Sequence, residues 1–163
     1  MNLFIIRHGL AGEYGTYTND NERPLTEEGK HKTRQVAKRL REFGVQFDLI
    51  LTSPLVRARQ TAEILLDLGL GNQLKTADYL APGGAIEDWI DWLRSWQPLE
   101  KDSLALVGHE PNLTSWAEQL LWGESRGVLE LKKAGVIGLK VPDKHLPIAT
   151  CQLFWLTPPR FLG

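Results

Sequence analysis

Short apolar runs that stop abruptly at polar clusters alternate with longer amphipathic stretches, and this alternation restricts the fold more than any other feature of the chain. Residues 3–6, 48–52 and 103–107 are compact runs of strand formers. They hand over to Arg7-His8-Gly9, to Ser53-Pro54 with Arg57, and to Gly108-His109-Glu110-Pro111. Between them, Val36, Leu40 and Phe43, then Ala58, Thr61, Ala62 and Leu65, recur at helical spacing. Ile86, Trp89, Ile90 and Leu93 do the same, as do Leu113, Trp116, Ala117, Leu120 and Leu121. Thr26 suits the cap of the first helix, with Glu27 and Glu28 at the positive end of its dipole and Gly44 as its stop. Residues 74–79 form a weaker strand candidate, and 136–141 and 152–156 read as two closing strands. Strand–helix alternation of this kind predicts an α/β fold with a mainly parallel sheet, extended by the last two strands, one of them antiparallel. No repeat or linker divides the sequence, so residues 1–163 are expected to form one domain.

Composition narrows the function classes. The 19 basic and 20 acidic side chains leave a formal net charge of -1. Broad nucleic-acid or membrane-surface binding draws on a basic excess that this chain lacks. No apolar stretch approaches a membrane span, and residues 1–6 are too short for a signal peptide, so a cytoplasmic protein is expected. Cys151 is the single cysteine, which leaves no intramolecular disulfide and no Cys-x-x-Cys zinc spacing. Any anion site must therefore come from local placement of Arg, Lys and His.

In open α/β sheets, ligands bind outside the carboxyl ends of the strands. The three polar clusters all fall there and are expected to converge on one pocket. The residue types suit a phosphoryl group. Guanidinium forks match its oxygens with paired hydrogen bonds, and Arg7 and Arg57 are the candidates for that role. His8 is placed to attack phosphorus through a neutral ring nitrogen, with nearby cations disfavouring its protonated form. Gly9 is expected to let the backbone approach closely. His109 is placed to donate a hydrogen bond to the developing charge. Each residue alone has a bland reading: a structural histidine, a solvated helix arginine, a turn residue before a proline. Their common position at strand ends decides between the two.

The remaining candidates are weaker. His31 lies on a charged helix face and His145 in a Pro-rich turn; neither makes a metal-ligand spacing. The six tryptophans read mainly as packing, with Trp92, Trp96 and Trp122 nearer the surface. Cys151 reads as a buried strand residue.

The blocks Phe4-Ile-Ile-Arg-His-Gly9, Arg23-Pro-Leu-Thr-Glu-Glu-Gly29, Thr52-Ser-Pro-Leu-Val-Arg-Ala-Arg-Gln-Thr-Ala62 and Leu106-Val-Gly-His-Glu-Pro111 resemble the histidine phosphatase (phosphoglycerate mutase-like) superfamily. Their spelling and the short chain look like its SixA-type phosphohistidine phosphatases. The resemblance implies a three-layer α/β/α sandwich and a covalent phosphohistidine mechanism that uses no metal and no cofactor. By position, His8 matches the phosphorylated histidine. Arg7, Arg57 and His109 match the rest of the phosphate pocket, and Arg23 matches a substrate-binding residue near it.

One departure bears on substrate. Phosphomonoesterases and mutases of the superfamily usually carry a carboxylic acid shortly after the third strand, to protonate a leaving alkoxide. Here that segment reads Tyr79-Leu80-Ala81-Pro82, with Asp78 before it and Glu87 and Asp88 after it. A phosphohistidine needs such an acid less. The short chain also leaves the pocket without a long lid. The expected partner is thus a signalling protein carrying phosphohistidine. Hydrolysis of a small phosphomonoester, or non-catalytic binding of a phosphorylated partner, are the alternatives. The sequence leaves oligomeric state open.

Overall fold

The computed structural model describes residues 1–97 and 103–163. Six strands and four α-helices follow the alternation: β1 (Asn2–Arg7), α1 (Glu27–Glu42), β2 (Leu49–Thr52), α2 (Val56–Asp67), β3 (Leu74–Thr76), α3 (Ile86–Ser95), β4 (Ser103–Gly108), α4 (Asn112–Trp122), β5 (Val136–Lys140) and β6 (Gln152–Thr157). All six strands join one sheet in the order β3-β2-β4-β1-β5-β6. β3, β2, β4 and β1 run parallel, β5 runs antiparallel to β1, and β6 antiparallel to β5. One of the two closing strands therefore opposes the parallel block, as the sequence predicts.

Side chains on a strand point alternately to opposite faces, and the core divides accordingly. Leu3 and Ile5 of β1, with Leu104 and Leu106 of β4, pack against Trp89 and Leu93 of α3 and Trp116 and Leu120 of α4. Phe4, Ile6, Ala105 and Val107 face the other way, onto Val36 and Leu40 of α1 and Ala58 and Leu65 of α2. These are the three layers. Strands buried on both faces must be apolar throughout, which explains why β1 and β4 read as continuous apolar runs.

The local signals act as predicted at α1. The Thr26 hydroxyl accepts from the Gly29 N–H at 2.9 Å, and Gly44 turns the chain at φ 77°. Two readings need correction. Phe43 lies beyond the last helical residue and is 58 % exposed, so it is not part of the buried stripe. The third strand ends at Thr76, because Asp78–Leu80 coils into a 3-10 turn.

Register brings the polar clusters together. Ile6 pairs with Val107, and Val107 pairs with Thr52. The residues that follow these three therefore leave the sheet at the same edge. β4 lies between β1 and β2, although those two strands follow each other in sequence. Such a change in strand order opens a crevice at the carboxyl ends.

Candidate active site

His8 is the first residue beyond β1 and is 5 % exposed. Its backbone N–H donates to the Gly108 carbonyl at 3.1 Å, tying it to the end of β4. Its ring Nδ1 lies 2.7 Å from the Gly9 carbonyl. A carbonyl only accepts, so Nδ1 carries the proton and Nε2 is left with its lone pair. Burial pushes the imidazole down to about 3; the Gly9 bond works against this, and His109, Arg57 and Arg7 add to it. The neighbouring cations, expected to keep the ring neutral, do contribute, but loss of water is the larger cause.

At Gly9 the close neighbour is a helix. A Cβ there would sit 2.4 Å from Thr33 Oγ1 and 3.3 Å from the Gly29 carbonyl, both on α1. The close approach is of helix to strand end. The Gly9 N–H donates to Thr61 Oγ1 at 3.0 Å, and that hydroxyl donates to the Arg57 carbonyl at 2.8 Å. The start of α2 is thereby fastened to His8-Gly9.

His109 follows β4 and is 3 % exposed, with its ring centroid 5.1 Å from that of His8. Its Nε2 lies 2.7 Å from Ser53 Oγ, the residue after β2. Ser53 Oγ also accepts from the Leu55 N–H at 3.2 Å, which fixes the hydroxyl beside the ring. The other ring nitrogen, Nδ1, is buried with no hydrogen-bond partner among the described residues. Burial lowers this ring to about 4, helped by Arg57, Arg23 and Arg7 and opposed by Asp20.

Three guanidinium groups complete the cluster. Arg57 Nη1 donates to the Asp20 carbonyl at 2.9 Å, and Nη2 lies 3.2 Å from Asp20 Oδ2. Arg23 Nε donates to Asp20 Oδ1 at 2.8 Å, and its Nη1 to the Gly12 carbonyl at 3.0 Å. Arg7 Nη1 donates to the Leu131 carbonyl at 3.0 Å. Nε of both Arg7 and Arg57 is buried without a partner among the described residues. Burial is the chief influence lowering both arginines, yet a guanidinium keeps its charge in proteins. The sequence candidates Arg7, His8, Arg23, Arg57 and His109 thus lie together. His31 and His145 are exposed. Cys151 is buried, but it precedes β6 and its thiol donates to the Pro147 carbonyl at 3.3 Å. Trp122 is 39 % exposed, while Trp92 and Trp96 are partly buried and stack on each other at 5.7 Å.

Sequence reasoning missed three residues. Asp20 bridges Arg23 and Arg57, and its spacing of three from Arg23 is the signal available in the sequence. Ser53 was noted only as part of a cluster. Lys133 is half-buried, and it is lowered chiefly by burial and then by Arg7, Arg23 and Arg57, so it faces the same cations. Nothing in the local pattern Lys132-Lys133 marks it.

Burial strips these cations of water and gathers them around two imidazoles, an arrangement suited to a tetrahedral oxyanion. Comparison with known proteins agrees. Residues 3–81 match the histidine phosphatase superfamily (branch 1). An uncharacterized protein of Picosynechococcus is 44% identical over 163 residues, 99% of either chain. The mitochondrial serine/threonine-protein phosphatase Pgam5 of Drosophila mojavensis is 33% identical over 87 residues; the match spans 52% of this chain but only 29% of that longer one. The protein histidine phosphatase SixA, solved as a tungstate complex, superimposes with a TM-score of 0.86 at 25% identity over 100% of both chains. A mycobacterial glucosyl-3-phosphoglycerate phosphatase, complexed with VO3, shares the fold at a TM-score of 0.71 and 17% identity, with 94% and 98% of the two chains covered.

Proposed function

Because the chain belongs to the histidine phosphatase superfamily, in its SixA-type form, we propose that it is a phosphatase that dephosphorylates a histidine-phosphorylated signalling protein through a phosphohistidine on His8. The observation that carries this reading is the Nδ1–Gly9 bond of 2.7 Å, which leaves Nε2 of a buried, neutral ring as a nucleophile. In the first step the Nε2 lone pair forms a bond to phosphorus as the bond from phosphorus to the substrate imidazole breaks. The departing imidazole leaves as a neutral ring when it enters already protonated. In the second step water attacks phosphorus, the His8 bond breaks, and inorganic phosphate departs with the proton balance restored from solvent.

Phosphoryl transfer depends mostly on positioning and on neutralising the oxygens. Arg7 and Arg57 serve as the principal clamps, with Arg23 beside them. His109 presents its unpartnered Nδ1 to the phosphoryl group and donates through it in the tautomer where Ser53 gives its proton to Nε2. These groups supply the charge that a metal ion often supplies elsewhere, so the proposed reaction needs none, and activity should survive chelation by EDTA.

The carboxylates near the cluster bear on the leaving group. Asp20 is held below the usual carboxylate range, chiefly by its hydrogen bond from Arg23, and so is a poor proton donor. Both oxygens of Glu110 are engaged by Thr114, at 3.1 and 2.5 Å. Asp78, Glu87 and Asp88 are exposed. A leaving imidazole tolerates this arrangement better than an alkoxide does. The SixA structure that superimposes on this chain was solved with tungstate, an oxyanion, which supports a phosphate site at this cluster. The reading takes residues 1–163 as one domain acting in the cytoplasm; a single sheet with strands from Asn2 to Thr157 supports the first part.

Purified protein should turn over a phosphohistidine domain faster than a panel of sugar phosphates. Acid-labile phosphate should accumulate on the wild type after rapid mixing and be absent from His8→Ala. Faster turnover of the sugar phosphates would make small phosphomonoesters the substrate class. Retained binding of the phosphodomain with no turnover by the wild type would make the chain a binding module.

A further inference from the structure

Glu118 is the one acidic side chain that is fully buried among the described residues, at 0% exposure. It lies on α4, away from the phosphate cluster, and no cation among the described residues pairs with it. The Arg126 side chain turns instead to Glu124, at 3.0 Å, and over the Trp122 ring. The Glu118 carboxylate accepts from backbone N–H groups alone, apart from a long bond of 3.4 Å from Ser125 Oγ. Oε1 takes Val128 at 2.7 Å and Leu129 at 2.8 Å. Oε2 takes Gly127 at 2.7 Å and also the Arg126 N–H. Burial alone pushes such a group up, but the four N–H bonds outweigh it and hold Glu118 at about 2. A carboxylate buried without a cation is costly unless its lone pairs are filled, and here they are.

These four residues open the segment from α4 to β5, and the far end of that segment wraps Arg7. The Leu131 carbonyl accepts from the Arg7 guanidinium at 3.0 Å. The Ala134 N–H is shared between the carbonyls of Arg7 and His8, at 3.1 Å each. The Gly135 carbonyl accepts from the Arg7 N–H at 3.2 Å. Ala134 holds φ 59°, a left-handed conformation that a residue with a Cβ keeps only when its surroundings impose it. Leu131, 3 % exposed and packed in the core, stands between the two anchored ends.

We propose that Glu118 is a positioning residue for Arg7. By fixing 126–129 it sets the Leu131 carbonyl, and through it the guanidinium that meets the phosphoryl oxygens. The inference rests on the phosphate-site reading above and adds to it a control point outside the pocket. In Glu118→Gln the amide NH2 faces N–H donors and cannot accept, so one side of the nest is released.

The test is tungstate binding by calorimetry, which needs no turnover, alongside thermal unfolding. Glu118→Gln should raise the tungstate Kd about ten-fold, the usual scale for losing one charge-assisted contact. In an Arg7→Ala background the same change should alter Kd less than about two-fold, because the two residues act through one contact. Gly127→Ala keeps the core intact and strains the anchored turn, where Gly127 holds φ 68° with open space at its Cβ; it should also raise Kd. A lower melting temperature with wild-type tungstate affinity in the glutamine variant would make Glu118 a structural staple only. Should the glutamine variant not fold, wild-type affinity in Gly127→Ala would equally overturn the positioning role. Full additivity with Arg7→Ala would also overturn the proposal. Failure of the wild type itself to bind tungstate would count against the phosphate site, a distinct result.

Discussion

At the scale of single residues, the neutrality of His8 is the property with the clearest experimental consequence. Its conjugate acid is displaced from 6.5 to about 3, mostly by burial. The proposed nucleophile is therefore already unprotonated across the neutral and mildly acidic range. For an ordinary histidine, kcat/KM would fall on acidification below 6.5 as the ring gained its proton. Here that fall should begin only near pH 3 to 4, once ionisation of the substrate is divided out. A pH profile of kcat/KM with a phosphoramidate substrate measures this, and an enzyme limb near 6.5 would show that water reaches the ring. The same residue shows what sequence could and could not supply. Arg-His-Gly after an apolar run marked the candidate nucleophile, but the tautomer depends on the angle at which one carbonyl meets one ring. The pair Asp20 and Arg23 was written plainly in the chain, yet its meaning required Arg57, 37 residues away.

Among the secondary-structure elements, α1 approaches the segment that follows His8 closely. Gly29 lies in the first turn of α1, and a Cβ there would meet the Leu10 carbonyl oxygen at 2.0 Å. That oxygen belongs to backbone and already accepts from the Thr26 N–H at 3.0 Å, so it cannot swing aside as a side chain would. Either α1 moves outward or the segment after His8 shifts. Gly29→Ala should therefore destabilise the protein by about 1–3 kcal/mol, the range for forced overpacking, even though alanine is the better helix former. Urea unfolding would measure it, with Gly44→Ala as the comparison because a Cβ at Gly44 meets nothing and only its φ of 77° is strained. An unchanged urea midpoint for Gly29→Ala would mean that the helix yields freely. Helical periodicity located α1 and its cap in the sequence. It carried no information about which face of the first turn must be bare.

For the whole molecule, the parallel block was legible because strands covered on both faces must be apolar throughout, as Leu3-Phe4-Ile5-Ile6 and Leu104-Ala105-Leu106-Val107 are. The convergence of the three clusters followed from the rule for strand ends. The path of residues 123–135 did not, since it depends on one buried carboxylate and on backbone bonds that no side-chain pattern announces. That hidden group and the two pocket histidines together set how the fold responds to acid. Glu118 is displaced from 4.5 to about 2, so its contribution is complete above 4.5 and is lost as pH falls toward 2. His8 and His109, displaced from 6.5 to about 3 and about 4, are bases kept neutral when folded. The unfolded chain takes up their protons below 6.5 while the folded one does not, so their contribution also drains away on acidification. All three act in the same direction. Stability should decline from about pH 6.5 downward and more steeply below 4.5, where the carboxylate joins. Denaturant midpoints at pH 7.5, 5.5 and 4 measure this. His8→Asn should flatten the upper part of the decline, between 7.5 and 5.5, and leave the Glu118 part below 4.5 in place. A wild-type midpoint that stayed level between pH 7.5 and 5.5 would show that the two rings are not held neutral by the fold.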